Sequence, residues 1–287
     1  MDKVYLIIVN YKTDDIIKTA IKSINEESLN IYTIIVDNEF SDSSFSNLNK
    51  LKTNKVEIIT PKENLGFAGG VNFGFEYLES KFDDIDYIFL LNPDATVERN
   101  SISKLINTIN QYHDVAAVSP RILNDQGENW FTGTIIDWEN CKIINNPNFN
   151  KTENPIEIDV FNGCSVLLDA KKFKESGMFN IDTFLYYDEA FLSKEFLKRG
   201  YKILYNSNII NHHNVSYSTG YNSPLKHYYM SRNHLYFFNN YKNNNRLCKY
   251  KVPIKNTLWY LKNFKFEGFI AGINAIKDFL INKKGKK

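Results

Sequence analysis

Five short apolar runs punctuate the first 120 residues: VYLIIV (4–9), YTIIV (32–36), VEIIT (56–60), YIFLL (87–91) and VAAVS (115–119). They are nearly uniform rather than alternating, so they predict strands covered on both faces. Amphipathic stretches separate them. Residues 15–29 place Ile16, Ile17, Ala20, Ile21 and Ile24 on one helical face, and helices are also predicted over 69–80 and about 100–112. Strand and helix in alternation specify an α/β fold with a parallel sheet and helices on both sides. The length of 287 residues suits one large domain or two small ones.

In such a sheet, ligands bind beyond the carboxyl ends of the strands. Asn10-Tyr11 follow the first strand and Asp37-Asn38 the second. Asn64-Leu65-Gly66-Phe67-Ala68-Gly69-Gly70 follow the third, and Asn92-Pro93-Asp94 the fourth. Alone, Asn-Pro-Asp is ordinary turn chemistry. Four polar or glycine-rich tips on one sheet make a constellation. It is not a dinucleotide site, because GxGxxG should follow the first strand and the glycines here follow the third. No GxxxxGK[ST] phosphate loop and no GxSxG nucleophile elbow occur. The tips suit a nucleotide sugar. Asp37 or Asn38 could bond the edge of a uracil or thymine, and glycines let backbone approach a ligand closely. Asp94 could hold a divalent ion against a diphosphate, with Asn92 beside the ribose or a metal-bound water.

The second half has a different grain. DVFNGCSVLLD (159–169) predicts a strand, a break at Gly163 and another strand. A helix should start near Asp188-Glu189 and end at Gly200, and KILY (202–205) predicts a strand after it. From about 226 the chain reads as helical pieces interrupted by Pro253. This divides the chain into a body, 1–222, and an appendage, 223–287. Cys141, Cys164 and Cys248 are odd in number and show no CxxC spacing, so neither a disulfide framework nor a zinc site is expected. VYLIIV is too short for a signal segment, and no apolar run approaches the roughly 18–20 residues of a spanning helix. The expectation is a reduced, cytoplasmic protein.

The net charge of +2 conceals an asymmetry. Residues 226–287 hold 14 Lys and Arg against Glu267 and Asp278, while residues 1–225 hold 21 basic and 31 acidic residues. A basic, aromatic tail fits an anionic membrane surface, or packing on its own body or on a second copy in a homodimer. A nucleic-acid partner is not expected.

The motifs VNYKT, IIVDNEFSD, NLGFAGGVNFG, LLNPDATV, NGCSVLL, FLYYDEAFLSKEFLKRGYKILY and IINHHNVSYS occur in an order that resembles the inverting family 2 glycosyltransferases. The nearest likeness is to their bacterial, rhamnosyltransferase-like branch, which builds cell-envelope polysaccharides. The resemblance implies a GT-A fold, a Rossmann-like, mostly parallel sheet flanked by helices. It implies transfer of a sugar from a nucleoside-diphosphate donor, dTDP-rhamnose first and a UDP-hexose next. The acceptor would be a growing surface polysaccharide or lipid-linked glycan; the basic tail, for its part, would let a cytoplasmic protein sit on the inner face of the plasma membrane. Asn-Pro-Asp would stand in for the usual metal motif, with Asp94 holding Mg²⁺ or Mn²⁺ and His212 assisting. The donor site would extend from Asn10 and Tyr11 through Asp37, Asn38, Asn64, Gly66, Phe67, Gly69 and Asn72 to Asn92. Of the acidic pair Asp188-Glu189, the second would be the catalytic base. Three positions depart from the family pattern: Phe191 replaces a third acid, Glu195 a basic residue, and Glu39-Phe40 the small residues of the second tip. The competing class is a binding module of the same fold without turnover.

Overall fold

The five apolar runs become strands of one sheet, with the 56–60 run at its edge and the others inside it. The computed structural model describes residues 3–214, 223–241 and 247–287. β1 (Val4–Asn10), α1 (Ile17–Asn25), β2 (Tyr32–Asp37), α2 (Asp42–Asn49), β3 (Val56–Ile59), α3 (Gly66–Lys81) and β4 (Tyr87–Leu91) form the first half. Their strands pair in parallel in the order β4-β1-β2-β3. Leu6, Ile8, Ile34, Ile35, Val36, Ile88 and Phe89 are all fully buried. Each such side chain contributes roughly 1.5–3 kcal/mol of transfer free energy, which makes this the core.

Beyond β4 come β5 (Ala95–Val97), α4 (Ser101–Ile109), β6 (Val115–Asn124), β7 (Asn129–Phe131), β8 (Thr134–Asp137), β9 (Lys142–Asn145), β10 (Ile156–Glu157) and β11 (Ser165–Asp169). α5 (Ala170–Glu175), α6 (Asp188–Lys198) and β12 (Lys202–His213) follow. The sheet is mostly parallel, but β11 inserts antiparallel between β4 and β6. The strand expected at the start of 159–169 is absent; Val160 makes only an isolated bridge to Thr134. β12 runs eight residues past Tyr205, where the predicted strand stopped, and pairs with both β6 and β5. Residues 215–218, the end of the last family-like motif, and the boundary proposed at 222 lie outside the described residues.

The C-terminal part is α7 (Pro224–Tyr241), α8 (Cys248–Lys262) and α9 (Phe266–Leu280). α7 is not a surface appendage. Tyr236, Phe237 and Phe238 join Ala190 and Phe191 of α6 and Val160 in one buried cluster. Pro253 does not break α8; it lies inside the helix with its ring buried, and its carbonyl accepts a bond from Thr257 Oγ1 at 2.7 Å. Cys141 and Cys248 form a disulfide, their Cα atoms 5.7 Å apart, which corrects the expectation of no such bond. A separation of 107 residues leaves no spacing signal in the sequence.

Candidate active site

Parallel register sets Asn10, at the end of β1, opposite Asp37, at the end of β2. Asn10 Nδ2 donates to Asp37 Oδ1 at 3.1 Å, Ser44 Oγ donates to the same oxygen at 2.9 Å, and the Glu39 amide donates to it at 3.2 Å. Thr13 Oγ1 holds the other end of the Asn10 amide at 2.6 Å. One carboxylate oxygen of Asp37 is therefore saturated. The other, Oδ2, is buried and has no partner. That oxygen can accept from the N–H of a base edge. The Asn38 amide is engaged by the following loop: Nδ2 donates to Gly66 O at 2.8 Å and Oδ1 accepts from Leu65 N at 3.3 Å. Tyr11 is exposed at the rim.

The glycine-rich segment serves close packing of the chain on itself. Gly66 has φ +71°, and a Cβ there would fall 2.0 Å from the Phe184 carbonyl oxygen. The same oxygen accepts from Phe67 N at 3.0 Å, and Asn64 Oδ1 accepts from Gly66 N at 2.8 Å. Asn72 pairs through both amide ends with the backbone of Phe179, at 2.9 and 3.1 Å. Asn38 and Asn72 thus position loops, and Gly69 is buried inside α3.

At the end of β4 the Asn92 amide bonds Cys164 O at 2.8 Å, and Asp94 is buried. Asp94 Oδ1 lies 3.2 Å from His213 Nε2. Asp94 Oδ2 and His213 Nδ1 are both buried without partners. His212 points away, to Glu98 at 3.3 Å on the surface. The histidine beside Asp94 is thus His213, not His212. The reason is strand alternation along β12: Ile209, Asn211 and His213 face in. Trp130 closes one side of the His213 ring, at 4.3 Å between centroids.

Across from this pair stands the start of α6. The backbone of Gly163-Cys164 touches both segments, Gly163 N at Glu189 and Cys164 O at Asn92 N; burial raises the Cys164 thiol well above its usual range, and the Asp94 and Glu189 charges raise it further. Asp188 is fully buried and accepts from Thr183 Oγ1. Burial, then the neighbouring Glu189 charge, push its carboxyl far up. Glu189 is half-buried, accepts from Gly163 N at 3.2 Å, and is also raised, by burial. A Cβ on Gly163 would come within 2.8 Å of Glu189 Oε1, so the glycine clears room for the carboxylate.

The loop leading to this pair is strained, with Phe184, Tyr186 and Tyr187 at φ 63°, 64° and 68°. α7 holds it. Arg232, fully buried, donates from Nη2 to Asp182 O and Thr183 O at 3.2 and 3.0 Å. Asn233 Nδ2 reaches the carbonyls of Thr183, Leu185 and Tyr186 at 2.9, 2.8 and 2.9 Å. Tyr187 Oη bonds His234 Nδ1 at 2.7 Å, and burial pushes the His234 imidazole down to about 4, so the ring is neutral. Sequence reading missed Thr183, Arg232, Asn233, His234 and His213. A groove of about 680 Å³ opens nearby, between α3 and α6, lined by Leu65, Asn72, Phe179, Phe191, Glu195 and Tyr241 among others. It holds neither Asp94 nor Glu189. Among the described residues no cluster of three or more His, Cys, Asp or Glu could hold a metal without help from a ligand.

A family model described as Glycosyl transferase family 2 matches residues 5–171, more than half of the chain. Many solved structures are similar, among them the following three. GalNAc-T7 with UDP, GalNAc and Mn²⁺ superposes with a TM-score of 0.64 at 14% identity, over 83% of this chain and 48% of its own. The mannosyltransferase PcManGT from Pyrobaculum calidifontis, in complex with GDP-Man and Mn²⁺, gives 0.62 at 14% over 96% and 74%. S. aureus TarS 1–349 gives 0.56 at 12% over 86% and 68%. At these identities the likeness is one of fold, and this chain spans about half the length of GalNAc-T7. No curated protein matches it by sequence.

Proposed function

Because the chain belongs to glycosyl transferase family 2, we propose that it moves a sugar, with inversion, from a nucleoside-diphosphate donor to a hydroxyl of a growing surface polysaccharide or lipid-linked glycan. The observation that supports this reading is that two consecutive residues touch both carboxylate segments: the Gly163 amide donates to Glu189 Oε1 at 3.2 Å, and the Cys164 carbonyl accepts from Asn92 N, two residues before Asp94, at 2.8 Å. One carboxylate has an unpartnered oxygen and the other sits at a helix start with its proton affinity raised.

The free Oδ2 of Asp37 accepts the N–H of a uracil or thymine edge. Asp94 Oδ2, buried and unpartnered, fits one ligand position of a divalent-ion site that the donor diphosphate would complete, with the His213 ring bonded to the other oxygen of the same carboxylate. Mg²⁺ or Mn²⁺ held there would supply positive charge for the departing diphosphate. Glu189 takes the proton of the acceptor hydroxyl. The oxygen bonds to the anomeric carbon as the bond to the diphosphate breaks, and the nucleoside diphosphate leaves with that electron pair. Asp188, too buried to reach an acceptor, orients the helix start through Thr183. On the motifs of the sequence, dTDP-rhamnose is the first donor to test and a UDP-hexose the second.

The test is a thermal-shift panel of nucleotide sugars with and without Mn²⁺, because a ligand that binds only the native state raises the melting temperature. One nucleotide sugar should raise it, and more so with the metal. If no donor shifts the transition in either condition, the reading fails.

A further inference from the structure

α8 and α9 each carry a second apolar stripe, facing away from the protein. On α9 the inner face is Gly268, Ala271, Gly272, Ala275 and Asp278, all buried. The outer stripe is Phe266, Ile270 and Ile273, each about half exposed. On α8 the outer stripe is Ile254, Leu258 and Leu261, also about half exposed. Both run i, i+4, i+7, the spacing of one helical face. Phe264, in the turn joining the two helices, is 80% exposed. Exposed apolar area of this extent marks an interaction surface.

The charge around the stripes says what covers them. Lys251, Lys255, Lys262, Lys265 and Lys277 are exposed on these helices and their turn, and Glu267 is the one exposed acid there. Asp278 is buried, bonded to Tyr228 Oη at 2.6 Å. Residues 247–287 hold ten lysines against these two acids. A second copy seated face to face would bring lysine against lysine. An anionic bilayer offers the complement: apolar chains for the stripes and phosphates for the lysines. No helix among the described residues is long and apolar enough to cross a membrane, so the pair would lie on the surface.

We propose that the outer face of α8 and α9, with Phe264 at its tip, docks on an anionic lipid bilayer. The docking stands on this face alone, and it deepens the reading above only by favouring an acceptor carried on lipid. α7, buried in the protein, takes no part.

The full chain is floated with phosphatidylcholine vesicles and with vesicles holding about 30% phosphatidylglycerol. It should float with the second and not the first, and about 0.5 M NaCl should release most of it. Two variants are compared, Phe264→Asp with Phe266→Asp, and Lys262→Glu with Lys265→Glu. All four positions are exposed, so melting temperature and donor hydrolysis should stay near wild type. Each variant should lose on the order of tenfold in vesicle binding. The proposal is overturned if wild type stays unbound on anionic vesicles, or if both variants float like wild type. It is also overturned if light scattering shows a dimer that the Phe264/Phe266 variant splits. Flotation without donor hydrolysis would instead count against the transferase reading, so the two failures are distinguishable.

Discussion

Two adjacent carboxylates at the start of α6 differ in that only one keeps an open edge. Asp188 is fully buried and bonded to Thr183, while Glu189 is half-buried and touches the Gly163 amide. Glu189→Gln keeps the shape and removes the basicity, so turnover should fall on the order of 10²–10⁴ with donor affinity nearly unchanged. Asp188→Asn should cost less turnover. A reversed order of the two losses would show that the base is misassigned. Burial raises the Glu189 carboxyl, and a base works only when ionised. Activity should therefore drop as pH falls through that raised value, and the residual activity of Glu189→Gln should lack this acid limb. A pH–rate profile of both proteins checks it. At the other carboxylate, Asp94→Ala and His213→Ala should each abolish metal-dependent transfer, whereas His212→Ala, on the surface with Glu98, should keep near-normal turnover. Equal losses for the two histidine variants would remove His213 from the site.

α7 acts on the site without entering it. Asn233 alone donates to three carbonyls of the strained loop before Asp188, and Arg232 to two. Without these donors the loop is free to relax, and a shift of about 1 Å at a catalytic group can cost on the order of 10²-fold in rate. Asn233→Ala should therefore lower kcat, move the acid limb set by Glu189, and leave donor affinity close to wild type. A variant that lost donor affinity and kcat together, with no change in the pH profile, would indicate general unfolding instead. None of this was legible locally, because the partners lie about 50 residues apart in sequence. What was legible has a local cause. Strands β1, β2 and β4 show as uniform apolar runs because they are buried inside the sheet, whereas β3, at its edge, carries Glu57. The antiparallel insertion of β11 left no mark, since pairing order depends on distant strands. His213 was within reach of sequence reading: extending the strand from KILY would have placed 209, 211 and 213 on one face and 212 on the other.

Taken as a whole molecule, the chain packs α7 of the 223–287 segment into the body that precedes it. Tyr228, Tyr229, Leu235, Phe237 and Phe238 of α7 are essentially fully buried. Phe191 of α6 packs edge-on against Phe237 at 5.4 Å, and Phe184 lies 5.3 Å from Tyr229. Burying one such side chain contributes roughly 1.5–3 kcal/mol, so five are worth on the order of 10 kcal/mol. That is comparable to the total stability of about 5–15 kcal/mol typical of a domain. A protein ending at Asn222 should therefore lose its cooperative melting transition as well as its activity. It would also expose the α6 face next to Glu189. Shortening the chain after Tyr241 keeps α7 and its bonds to the 182–186 loop, but removes Gly285, whose carbonyl accepts from Arg232 Nη1 at 2.7 Å, and Cys248. This longer protein should fold with a lowered melting temperature, retain donor binding and lose the membrane face. Calorimetry of the two shortened proteins beside the full chain decides the matter. A cooperative transition at the full-length temperature in the protein ending at Asn222 would show that α7 is a passenger and would detach the acidic pair from it.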